Sequence, residues 1–205
     1  MSSRLAIIAA VTVAGISAHA VAAPMGNAIV STAETLNRGE VFEDLSIVTG
    51  LGGGPTEVSL NSQYGIGGRT DIGFDIPLNG ASRPLFSATH MAYSDEKTRI
   101  RLGALGLNSE GGEAAEIVLG RDWGETTLHA GVSHAFPGTV VFGGLTRALS
   151  PSATVHVEYV GGPDPMGAVG CEWSLGHRLN LITSALHDFN GDAGLYLDFI
   201  WTNAE

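Results

Sequence analysis

The feature that most constrains this chain is a strict alternation in which polar and charged side chains keep to one side. From Thr56 to Tyr64 one parity reads Thr56, Val58, Leu60, Ser62 and Tyr64, and the other reads Glu57, Ser59, Asn61 and Gln63. Ile72, Phe74, Ile76 and Leu78 then alternate with Arg69, Asp71, Gly73 and Asp75. Near the C-terminus Leu195, Leu197, Phe199 and Trp201 alternate with Gly194, Tyr196 and Asp198. Successive side chains of a strand point to opposite faces, so each stretch is a strand with one apolar and one polar face. Repeated along a chain with no helical periodicity, the pattern predicts an all-β fold.

Turn signals give the strands their number. Gly67-Gly68, Ser94 to Lys97, Asp122-Trp123-Gly124, Ser150-Pro151-Ser152 and Gly176-His177-Arg178 are centred about 27 to 28 residues apart, the length of one hairpin with its connections. Between them lie further connections at 50–55, 79–83, 108–113, 136–139, 161–166 and 189–192. The spacing predicts strands over 41–49, 56–65, 69–78, 84–93, 98–107, 113–121, 124–134, 139–148, 153–160, 167–175, 179–187 and 193–202. About twelve is an even number, as single-chain bacterial barrels require. The expected fold is a closed antiparallel up-and-down transmembrane β-barrel, roughly 24 Å across for that strand number at a tilt of about 40°. The first strand departs from the pattern, because Glu43 shares the parity of Val41, Leu45 and Ile47. The eighth, around Val140 to Leu145, has no clear facing.

Residues 1–22 have the layout of a secretory signal peptide: Arg4, an apolar run from Leu5 to Ile16, then Ala20 and Ala22 in an A-x-A arrangement. The run is too short for a stable transmembrane helix. Residues 23–39 read as an extended or mobile leader, and 40–205 as the barrel domain. A net charge of −11 excludes nucleic acid as a partner, since phosphates would be repelled. Lys97 is the only lysine, whereas soluble β-proteins commonly guard solvent faces and edges with lysine. Cys171, the only cysteine, excludes an intramolecular disulfide and sits with Val169, Trp173 and Leu175 as a small hydrophobe.

If the apolar parity meets lipid, the other lines the lumen. Its expected members are Glu57, Asn61, Gln63, Asp71, Asp75, Arg99, Arg101, His129, His156, Glu158, Glu172 and Asp198, with His90 and Glu116 beside them. Arginine is suited to carboxylate contacts, so pairing across the lumen is expected. The acidic excess favours cations and neutral polar solutes over anions. No catalytic site is expected. His129 and Ser133 share a face but lie about 13 Å apart along one strand, out of hydrogen-bond reach, and His134 faces the other way. His156 and Glu158, with His90 and His129, are the nearest approach to a metal set, and Asp164 with Asn190 to Asp192 to a calcium loop. Neither spacing is diagnostic, and no metal or cofactor is expected. The partners expected are outer-membrane lipid, a small-molecule solute and the barrel-assembly machinery.

The function read from this pattern is a narrow passive channel or transporter in the cell outer membrane. The alternatives are a plugged structural barrel and a secreted or periplasmic lipocalin-like barrel, in which the apolar parity would surround a hydrophobic ligand. Alternation alone does not separate the last from a membrane barrel, because turning a sheet inside out preserves the period.

Two resemblances sharpen the reading. Internally, Tyr64-Gly65-Ile66-Gly67-Gly68-Arg69 is similar to Trp173-Ser174-Leu175-Gly176-His177-Arg178. Externally, Leu36-Asn37-Arg38-Gly39-Glu40-Val41 and the stretch from Gln63 to Gly73 resemble the opening hairpins of the meta-pathway phenol-degradation barrels of Gram-negative bacteria. That resemblance implies a small outer-membrane transporter and brings small aromatic solutes into view. One departure is the C-terminus: such barrels end on an aromatic, whereas here Phe199 and Trp201 are followed by Thr202 to Glu205.

Overall fold

The structure is a computed structural model that describes residues 28–50, 56–79, 83–108, 113–135, 138–189 and 191–203. Its strands are β1 (Val41–Thr49), β2 (Glu57–Gly67), β3 (Thr70–Pro77), β4 (Leu85–Ser94), β5 (Thr98–Leu105), β6 (Ala114–Trp123), β7 (Thr126–Ala135), β8 (Gly138–Ser150), β9 (Ala153–Val160), β10 (Met166–Gly176), β11 (Leu179–Asp188) and β12 (Ala193–Thr202). Each pairs antiparallel with its sequence neighbours, and β1 pairs with β12 to close the barrel. Closure leaves no free sheet edge, which is what permits strands to cross hydrocarbon. All twelve fall where turn spacing and alternation place them. The proposed signal peptide lies outside the described residues.

The two ends of the barrel differ. At one end the strands are joined by tight turns, and this end also carries the start of β1 and the end of β12. The internal sequence repeat belongs here and corresponds to one turn used twice. Gly67 pairs with Thr70 and Gly176 with Leu179, each after a register shift. Both two-residue loops have positive φ throughout: 63° and 62° at Gly68 and Arg69, 50° and 71° at His177 and Arg178. That is the hairpin turn whose twist matches the flanking strands. It follows Gly67 and Gly176 at φ 100° and 85°, a region open to glycine at no steric cost.

The alternation resolves as apolar outside and polar inside. Ile72, Phe74, Ile117, Val141, Val157, Val169 and Phe199 are exposed, while Asn61, Gln63, Asp71, Asp75, Arg101, His129, His156, Glu158 and Asp198 are at most 4% accessible. The lipocalin-like alternative is therefore overturned, since it places the apolar parity at the centre. Two irregular strands also gain a physical account. In β1 Phe42, Asp44 and Ser46 turn inward and Glu43 outward, opposite Trp201 and Ser62 near the tight-turn end, a level at which barrels of this kind tolerate charge on the outer face. In β8 both faces carry large apolar side chains, because Phe142 turns inward and its ring fills the space over Gly131 that a Cβ would occupy.

The leader corrects an expectation. Residues Ala28 to Ala33 and Leu36 are 0–4% accessible, and Ala28, Ile29, Val30, Ala33 and Leu36 form one buried cluster with Phe42, Val118, Ile182, Leu186, Tyr196 and Ile200. The segment from Ala28 to Leu36 therefore lies inside the barrel with hydrogen-bond partners on its wall, rather than free of contacts as a mobile leader would be. It turns into β1 through a corner at 37–40. Glu40 accepts hydrogen bonds from the backbone N–H and the side-chain amide of Asn37 at 2.6 and 2.9 Å, and Gly39 takes φ 86°. The Gly39 N–H then donates to the Gly65 carbonyl at 2.8 Å. A Cβ on Gly65 would stand 1.9 Å from the Asn37 carbonyl oxygen, so β2 must carry glycine where the leader passes.

Candidate functional site: the lumen

The lumen is built from strand residues of one parity, so the alternation that makes the barrel also gathers its polar groups. All twelve expected lumen residues are buried or half-buried, and eleven of them fall into three sets.

The first set holds the leader. Glu158 of β9 accepts from the backbone N–H groups of Ala28 and Ile29 at 3.1 and 2.7 Å. Glu116 of β6 accepts from the Ser31 hydroxyl at 3.0 Å and pairs with the fully buried Arg101 of β5. His129 Nδ1 accepts from the Ala33 N–H at 3.3 Å, and Asp71 Oδ1 from the Leu36 N–H at 2.9 Å. Thr89 donates to the other Asp71 oxygen at 2.8 Å. Asp71 sits near the tight-turn end and Glu158 well along β9 toward the other, so the leader runs lengthwise through the lumen. A strand-like segment without partners of its own must satisfy its backbone groups somewhere, and lumen carboxylates serve as charge-assisted acceptors.

The second set is acidic. Asp198 of β12 and Asp44 of β1 share the Ser46 hydroxyl at 3.3 and 3.0 Å, and the Tyr196 hydroxyl donates to Asp198 at 3.2 Å. Asn61 of β2 is in register with Asp44 on one side and Asp75 of β3 on the other. Among the described residues no basic side chain forms an ion pair with these three aspartates. Gln63 is buried beside this wall, while Glu57 is half-buried toward the opposite end of β2.

The third set rims the tight-turn mouth. Arg99 bridges Glu34 of the leader at 3.2 Å and Asp122 of β6 at 2.5 Å, and Thr127 donates to Asp122 at 2.8 Å. Glu172 of β10 accepts from the Asn180 side chain at 2.7 Å. A cavity of about 410 Å³ separates them, lined by Thr32, Glu34, Phe42, Arg99, Asp122, His129, Glu172 and Asn180 among others.

Some expectations need correction. Among the described residues Arg101 pairs with Glu116 of the neighbouring strand, and Arg99 with Asp122 of the neighbouring strand and Glu34 of the leader. His90 is exposed, on the outer parity, with Nδ1 3.0 Å from the Thr70 hydroxyl. His156 contacts the Ser184 hydroxyl at 2.7 Å while Glu158 holds the leader, so the two do not converge on one ion. Among the described residues no group of three potential ligands could hold a metal. His134 contacts Thr139 at 2.7 Å on the outer face, away from the buried Ser133. Asp44 and Asp122 were missed; the mixed parity of β1 hid the first and the adjacent turn the second.

The outer face completes the site. Tyr64, Tyr93, Trp123, Trp173 and Trp201 stand exposed near the tight-turn end, and Phe86, Tyr159 and Phe189 near the other, the last two in edge contact at 5.8 Å. An even-stranded closed barrel with an apolar band between two aromatic girdles has the surface of an outer-membrane protein.

No family model matches the chain. No curated protein matches it. Solved structures do. The KdgM porin is 9% identical with a TM-score of 0.63, over 79% of this chain and 98% of that one. The KdgM porin in complex with disordered oligogalacturonate is 8% identical with a TM-score of 0.60, over 79% and 98%. A structure from work on in-meso crystallization of membrane proteins is 9% identical with a TM-score of 0.55, over 80% and 83%. At such identities the likeness is one of fold, and it identifies the architecture of this chain as that of a porin-type transmembrane β-barrel.

Proposed function

We propose that this chain is a non-enzymatic outer-membrane channel for small solutes, narrowed by its own leader and selective for cations and neutral polar solutes over anions. The observation that carries the proposal is the Ala28 to Leu36 segment hydrogen-bonded inside an acid-rich lumen. In this reading Glu57, Asn61, Gln63, Asp71, Asp75, Arg99, Arg101, His129, His156, Glu158, Glu172 and Asp198 line the path, residues 1–22 direct export, and the barrel-assembly machinery inserts residues 40–205. Connections between strands are short, so the constriction comes from within the chain rather than from an inward-folded loop. Small aromatic solutes enter the reading only through the likeness of the 36–41 corner to the phenol-degradation barrels. The oligogalacturonate held by the KdgM porin is itself a chain of carboxylates and suits this interior poorly.

The test is single-channel recording in planar bilayers of the full chain beside a variant lacking residues 28–36. The expected result is a small cation-preferring conductance in the parent and a several-fold larger one in the deletion variant. No conductance in either, from barrels shown to be folded by heat-dependent gel mobility, would leave a structural barrel.

A further inference from the structure

The cavity at the tight-turn mouth lies where a solute would meet the barrel before reaching the leader, and its chemistry is one-sided. Glu34, Asp122 and Glu172 contribute three carboxylates and Arg99 the one side chain that is always cationic. Arg99 is bound by two of those carboxylates, at 3.2 and 2.5 Å. Glu172 has no such neutralisation: its described partner is the neutral Asn180 amide at one oxygen, which leaves the second oxygen for another donor. β10 stands five steps round a ring of twelve strands from β5, so Glu172 is on the wall almost opposite Arg99. His129 adds no positive charge to the leader side, because its Nδ1 already accepts a hydrogen bond from Ala33.

A second observation is independent of the charges. Thr32, on the leader segment that closes the inner end of the cavity, is only 3% accessible, and its hydroxyl has no hydrogen-bond partner among the described residues. A buried hydroxyl without a partner costs free energy unless something else satisfies it. Phe42 and Ile200 supply apolar wall beside it. About 410 Å³ is at the small end of ligand-sized cavities.

We infer that this cavity is a binding site for a small organic ammonium ion, held by Glu172 with Thr32 as a further polar contact and Phe42 as apolar wall. An ammonium group brings donors and positive charge to a site rich in acceptors and negative charge, and an aromatic face also attracts cations. This deepens the channel reading and rests on it for its role, but occupancy of the site does not depend on current flowing.

The test is titration calorimetry on the full chain in detergent micelles with three solutes of the same four-carbon length: putrescine, 1,4-butanediol and succinate. Putrescine is expected to bind at least about tenfold more tightly than the other two, and less tightly as salt is raised. Glu172→Gln, which keeps an acceptor for Asn180, should weaken putrescine about tenfold and leave butanediol unchanged. Thr32→Val, confined to the leader and leaving every strand intact, should weaken putrescine by a few-fold. Equal affinity for butanediol, tighter succinate, or putrescine binding untouched by Glu172→Gln in a folded barrel would overturn the inference. A barrel that binds putrescine yet passes no current loses the channel and keeps the site; one that conducts without binding putrescine loses the site and keeps the channel.

Discussion

The outer face and the lumen of this barrel are made from alternate residues of the same strands, yet their energetics are opposite. Outside, Phe74 and Ile117 are 36% and 51% accessible, and on a transmembrane barrel such a face is covered by lipid rather than by the chain. Inside, Arg101 and Glu158 are 0% and 3% accessible, and what surrounds them is the rest of the chain. The outer face requires only that side chains be apolar, since lipid adapts its shape to them. The inner face needs particular pairings: Arg101 with Glu116, Asp71 with Leu36 and Thr89, and Glu158 with two backbone amides. Composition therefore governs one face and geometry the other.

The largest effect should come from carrying charge across that divide. Phe74→Arg places a guanidinium near mid-strand on the lipid side and should cost about 2–4 kcal/mol of barrel stability, read by urea-dependent unfolding in lipid vesicles. An unchanged unfolding curve would mean that the lipid and lumen faces have been assigned the wrong way round.

Next in size is the loss of a specific inner pairing. Glu158→Leu leaves the Ala28 and Ile29 amides without their acceptor and should weaken leader docking by about 1–3 kcal/mol, with strand pairing intact. The measure is labelling of a cysteine placed by Ile29→Cys, in a Cys171→Ser background, with a water-soluble maleimide. Labelling should speed up roughly tenfold or more relative to the Glu158 parent. Equal rates in the two would show that the lumen tolerates composition changes as freely as the outer face does.

The smallest effect belongs to neither face. Asp95, in the turn between β4 and β5, accepts from the Tyr93 hydroxyl at 2.7 Å and from the Lys97 and Thr98 N–H groups at 2.8 and 2.7 Å. The Tyr93 hydrogen bond first, and then the two backbone bonds, hold its carboxyl below the ordinary carboxylate range. A lowered folded-state pKa means that its contribution is present above the unfolded value, about 3.9, and is lost as pH falls through the lower folded one. Asp95→Asn should therefore lower the melting temperature slightly at neutral pH and converge with the parent at acid pH, so that the acid end of its profile is flatter. A large change at neutral pH would show that turns, rather than the two faces, dominate stability.

Much of the fold was legible in the residues. Runs such as Ile72 to Ile76 and Leu195 to Trp201 marked both strand and parity, and the matched turns after Gly67 and Gly176 marked the hairpin repeat. His90 was misplaced because Ser87 and Thr89, small hydroxyl side chains of the true inner parity, look less polar than a histidine. At the outer rim the ring reaches the Thr70 hydroxyl, which a pattern of hydropathy does not register. The lumen set was legible as residue types but not as pairings, because alternation fixes which side a group takes and not which distant segment it meets. The leader is the clearest case. Its Ala, Ser and Thr residues resemble a mobile tail, and the two local signals of its docking, the Asn37–Glu40 corner and a glycine at 65, acquire meaning only beside the closed wall.

By itself the sequence determined strand number, strand limits and the separation of polar from apolar side chains, since these follow from a period of two interrupted by turns. Tertiary structure decided the rest: which side faced outward, which carboxylate met which donor, and what filled the centre. The reason is that period-two alternation reads the same with the sheet turned inside out. Only closure of β1 on β12, with the leader's backbone amides inside to be satisfied, gives the two sides different surroundings.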